Sequence, residues 1–168
     1  MARALLMLSA TSMIAYAATF VLGTLKGLGV IELRHFLLAI PVTMLVVFTH
    51  AMTLFFLIGC GTRIKDVLKE TGIVGDYRAH VRALHNRFTP PAMYAILATM
   101  TTFILGGGAD TETLDPLVHG GVALLGLILN GWATFVEFET VTDCVTLMDR
   151  LGDEVDQLEL QGAARSAT

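Results

Sequence analysis

Residues 117–139 read LVHGGVALLGLILNGWATFVEFE. The stretch is long and apolar enough to cross a bilayer, whose hydrocarbon core takes about 20 helical residues. It nevertheless carries His119, Asn130 and Glu137. At about 100° per residue these three, with Gly126, fall within roughly 20° of one line down a helix. Lipid offers such a stripe no partner, so it must face protein, water or a cofactor.

The rest of the chain has the same character. Of 168 residues, 54% are hydrophobic and only 15% charged, and mean hydropathy is +0.68. Soluble domains carry about 25% charge, so the deficit marks a membrane protein. Net charge is −4 with no basic tract, which excludes a nucleic-acid binder. Cys60 and Cys144 are far apart in sequence and in no CxxC pattern. They read as small helix residues and not as a disulfide framework or zinc site. There is no Ser/His/Asp arrangement, no HExxH and no glycine-rich phosphate loop. The glycine triplet 106–108 lies beside acids at a helix end, the wrong place for phosphate.

Four uncharged runs cover residues 4–25, 36–62, 88–109 and 116–136. They predict an all-α integral membrane four-helix bundle, with spans at about 4–25, 36–62, 90–107 and 117–139. The first run, 22 residues without charge, is longer than a signal-peptide core and reads as a retained helix. Its Ser9, Ser12, Tyr16, Thr19 and Gly23 read as a seam for close helix contact. Residues 140–161 keep a three-to-four apolar spacing among acidic residues and predict an amphipathic cytoplasmic extension of the last helix. Residues 162–168 read as a disordered tail.

Orientation follows from Lys and Arg. The link between spans 2 and 3 holds Arg63, Lys65, Lys69, Arg78, Arg82 and Arg87, and its second half reads as a basic interfacial helix. The link between spans 1 and 2 holds Lys26 and Arg34, and that between spans 3 and 4 holds neither Lys nor Arg. The positive-inside rule puts the long basic link and both termini in the cytoplasm, in a bacterial inner membrane. Pro90 and Pro91 suit the first turn of span 3, and Pro116 that of span 4. The triplet 106–108 reads as a flexible stop.

Depth sorts the polar residues. His50 lies about 21 Å below the start of span 2, and Asn130 about 20 Å below the start of span 4, at 1.5 Å per residue. Three layers result. His35 and His119 form an outer layer fit for haem or metal ligation. His50 and Asn130, with threonines, form a middle layer fit for a quinone, a tetrapyrrole or mutual hydrogen bonding. Glu137 forms an inner layer, expected to pair with an arginine. The function read from these residues is a small cofactor-binding membrane subunit, with haem b, a metal or a quinone as the cofactor, that transfers electrons within a larger complex. His119, His50 and His35 are the candidate ligands, with Asn130 and Glu137 tuning the site. The alternatives are an accessory subunit docking a protein partner or a second copy through span faces and residues 141–158, and a small oligomeric carrier or channel.

Overall fold

The computed structural model describes residues 1–31 and 35–166. The expectation for Arg34 lies outside them. Among the described residues all regular structure is helical, in four elements: α1 (Ala2–Gly27), α2 (His35–Thr71), α3 (Tyr77–Asp110) and α4 (Pro116–Ser166). Each is long and apolar enough to cross a membrane. The chain is an all-α four-helix membrane bundle.

Three helices outrun the bilayer. α4 has 51 residues, about 76 Å at 1.5 Å each, against a hydrocarbon core of about 30 Å. The excess of α2, α3 and α4 gathers at one end into a three-helix stalk. Ile64, Leu68, Tyr77 and Leu151 form its buried apolar core. The long basic link is therefore mostly helix, with α2 running to Thr71 and α3 starting at Tyr77. The turn between them uses Gly72 at φ +70°, a conformation that costs glycine little. The expected interfacial helix is the first part of α3 itself.

Three local expectations need correction. Pro90 and Pro91 lie inside α3 and do not start it. Their missing N–H groups leave the carbonyls of Asn86 and Arg87 without helical donors, but flanking helix on both sides carries the element through. The triplet 106–108 also stays helical, because α3 continues to Asp110. The tail does not begin at 162, since α4 extends to Ser166.

α1 packs on α2 and α4, and α3 packs on the same two. α2 and α4 also meet across one diagonal, whereas the α1 and α3 backbones stay apart across the other. On α4 the buried positions Ala123, Gly126, Asn130, Ala133, Glu137, Thr140, Cys144 and Leu151 fall on one line, flanked by buried Val136 and Val141. That three-to-four alternation is a heptad seam, running unbroken from the bilayer into the stalk. Cys60 and Cys144 are free and share an apolar cluster with Leu57, Phe88, Ala92 and Val136. The apolar face of the extension is thus largely used within the chain, with Val141 and Leu151 buried and Leu158 exposed.

In the stalk the Tyr77 hydroxyl donates to Glu154 Oε1 at 2.6 Å. Burial raises the Tyr77 pKa, and the Glu154 carboxylate raises it further. A phenol held protonated in the fold contributes stability below its ordinary pKa of about 10 and loses it as pH climbs through the raised value. Thermal unfolding in detergent should therefore show an alkaline loss of stability that Tyr77→Phe diminishes. Leu151→Ala should lower stability by about 2–5 kcal/mol, the usual result of emptying a leucine site in a packed core.

Candidate functional site

Glu137 is wholly buried, and two helices, α1 and α2, supply its partners. Ser9 Oγ of α1 donates to Oε2 at 3.0 Å, and Thr53 Oγ1 of α2 donates to Oε1 at 2.6 Å. His50 Nδ1 lies 3.2 Å from Oε2. On its other side, His50 Nε2 lies 3.2 Å from Asn130 Oδ1. Asn130 Nδ2 donates to Thr99 Oγ1 of α3 at 2.9 Å and to the Gly126 carbonyl at 2.7 Å. All four helices therefore join one buried chain, running Ser9, Glu137, His50, Asn130, Thr99. Seven residues separate Asn130 from Glu137, about 10.5 Å of helix rise, and one imidazole bridges that interval. Phe88 packs against the His50 ring, with centroids 6.3 Å apart.

Donors and acceptors constrain the protons in this chain. The Gly126 carbonyl only accepts, so the nitrogen of the Asn130 amide must face it and the oxygen must face His50. Nε2 of His50 then has to carry a hydrogen. Between Nδ1 and Glu137 Oε2 a hydrogen bond needs one proton, held by either atom. The pair is net neutral in both placements, as an imidazolium with a carboxylate or an imidazole with a carboxylic acid.

Glu137 is thus not paired with an arginine as expected from its position. Arg87 reaches past it to Thr140 Oγ1 at 3.2 Å and Asp143 Oδ2 at 2.8 Å. Glu137 lies on the inward seam of α4, whereas Asp143, two turns on, is exposed enough for the guanidinium to stay in water. His50 belongs to the middle layer with Asn130 as anticipated, but both its ring nitrogens are engaged, so it is not free to ligate a metal.

The outer layer is different. His35 and His119 border one cavity of about 540 Å³, lined by all four helices at the end holding the two short loops. Tyr16, Thr99 and Thr102 line it too, with apolar walls from Phe20, Phe36, Ile40 and Phe103. Among the described residues three buried side-chain polar atoms lack a well-aligned hydrogen bond, Tyr16 Oη, His35 Nδ1 and His119 Nδ1, although the Thr102 and Thr99 hydroxyls lie beside Tyr16 and the Thr102 backbone beside the His119 ring. All three belong to residues of this cavity. Each also sits against a glycine of a neighbouring helix. A Cβ on Gly23 would lie 2.8 Å from His35 Cε1, and one on Gly106 3.1 Å from His119 Cε1. A Cβ on Gly126 would collide with the Tyr16 hydroxyl. A Lys26–Asp110 ion pair at 2.7 Å links α1 to α3 beside the cavity.

Sequence reasoning missed Ser9, Tyr16 and Thr99. Ser9 and Tyr16 were legible only as a packing seam, and Thr99 carries no local signal. Comparison of the chain with protein-family models, with curated proteins and with solved structures finds no match.

Glu137→Ala should remove the acceptor for Ser9, Thr53 and His50 together. At roughly 1 kcal/mol per interhelical bond, plus the penalty for an orphaned imidazole, the loss should be about 2–4 kcal/mol by thermal unfolding in detergent. Glu137→Gln keeps an oxygen and should lose clearly less.

Proposed function

We propose that the protein is a small cofactor-binding subunit of a bacterial inner membrane, holding haem b in the cavity that the four helices line, with His35 and His119 as the protein ligands. It passes electrons within a larger membrane complex, with the stalk and both termini in the cytoplasm. The observation that carries this reading is the convergence of two imidazoles, each with a buried Nδ1 lacking a well-aligned hydrogen bond, and the poorly satisfied Tyr16 hydroxyl on one apolar cavity. An unmet polar atom costs about 1–3 kcal/mol when buried. Three in one place, each given room by a glycine, mark a site shaped for a ligand.

The donor set favours a haem over a bare ion. Among the described residues no cluster of three or more His, Cys, Asp or Glu could cage a metal. Protein-caged ions usually need three or four protein ligands. Two imidazoles suffice when the ligand brings four nitrogens of its own, and such a group supplies reversible one-electron chemistry. Phe20, Phe36, Ile40 and Phe103 would keep water from it. Tyr16 and Thr102 would offer hydroxyls to its polar edge. The accessory-subunit reading loses weight because the amphipathic face of α4 is largely covered by α2 and α3.

Purified protein should absorb in the Soret region with a bis-histidine spectrum. His35→Ala and His119→Ala should each lose most of the bound pigment, whereas His50→Asn should retain it. A colourless wild-type protein, or pigment unchanged in both cavity variants, overturns the assignment.

A further inference from the structure

We propose that Glu137 and His50 form a proton-binding site that takes up one proton for each electron accepted in the cavity. The proposal rests on the reading of the cavity as a redox site. Its basis is the continuity of the polar chain. Thr99 borders the cavity and accepts from Asn130, Asn130 meets His50, and His50 meets Glu137. A negative charge added in the cavity is felt along this chain, because a low-dielectric interior screens it weakly.

The pair as built is neutral and has room for one more proton. Its second proton gives an imidazolium facing a carboxylic acid, with a net charge of +1. The added O–H needs an acceptor, and Ser9 and Thr53 supply one. Their hydroxyls donate to Glu137 now and can rotate to accept, since a hydroxyl has both capacities. An isolated positive charge in the bilayer interior is expensive. One electron in the cavity offsets it. The electron comes from a one-electron donor of the complex, a reduced haem or iron–sulfur protein, and the proton comes from water at the stalk end. One electron and one proton enter, the new bond is an O–H or N–H within the pair, and the interior stays neutral.

The approach from the stalk side is short. Thr140 is buried one turn beyond Glu137 on the same seam and accepts from Arg87, which is ion-paired with exposed Asp143. Toward that side the adjacent apolar cluster holds the thiols of Cys60 on α2 and Cys144 on α4, with Arg63 beyond Cys60 on α2 and His85, at Thr89, on α3. α1 presents Ser9 to the pair and the Tyr16 phenol to Gly126 and Thr99 at the other end of the chain, and α3 presents Arg87 beyond Glu137.

Redox titration of the pigment-loaded protein at a series of pH values tests the coupling. One proton per electron makes the equilibrium tenfold more favourable per pH unit, a slope of about 59 mV for a one-electron couple. The wild type should show that slope over part of the range, and Glu137→Gln should flatten it with the Soret band intact. Should Glu137→Gln not assemble, Glu137→Asp should shift the pH range of the slope. A flat wild-type titration, or a slope unchanged in position and size in the variants, overturns the proposal. A second arm needs no pigment. Infrared difference spectra between neutral and strongly acid solution, where proton concentration replaces the electron as the driving force, should contain a protonated-carboxyl band that Glu137→Gln removes. Colourless protein that keeps this band refutes the haem reading and leaves the proton site standing, whereas loss of the band from the wild type refutes the site itself.

Discussion

A carboxyl group in the middle of a bilayer protein must be fully solvated by the protein, and here that requirement organises the bundle. Glu137 draws a serine from α1, and a threonine and a histidine from α2. The histidine then commits Asn130, and Asn130 commits Thr99 on α3. Hydrocarbon competes for none of these groups, so their pairing fixes which face of each helix turns inward. Helix packing between apolar surfaces alone would leave those rotations weakly determined.

The same requirement separates two kinds of histidine. His50 is enclosed on both nitrogens and is part of the scaffold that fixes the interior. His35 and His119 are held in place by steric fit against glycines and leave a nitrogen unsatisfied. The first arrangement resists change. The second is poised for a partner the chain does not supply. The apolar walls around it keep water scarce, which strengthens whatever polar contacts form there.

Much of this was legible in the sequence. The four spans are readable because hydrocarbon thickness sets a minimum length and charges interrupt each run. The stripe through His119, Asn130 and Glu137 is readable because a helix has a fixed angular step. Depth counting correctly levelled His50 with Asn130 and His35 with His119. It failed for Glu137, since side chains a turn apart can reach one another and rise alone does not say how far. Ser9, Tyr16 and Thr99 escaped because hydroxyl residues in membrane helices usually bond their own backbone, as Thr19 and Thr49 do here. Nothing local distinguishes the few that reach across. The continuity of α3 through Pro90 and Pro91 was also hidden, because the missing donors there look like a helix start.

The seam of α4 couples the two ends of the molecule by phase. Asn130, Glu137, Cys144 and Leu151 recur every seven residues on one helix. A single insertion between Glu137 and Leu151 would turn everything beyond it by about 100°. Either the carboxyl or the stalk leucine would then point out of the bundle. Changes in the length of this segment are tolerable only in steps that restore the angle, three or four residues at a time with local rewinding, or seven with little. The distance between the membrane interior and the stalk is therefore a quantised quantity, set by the screw of one helix.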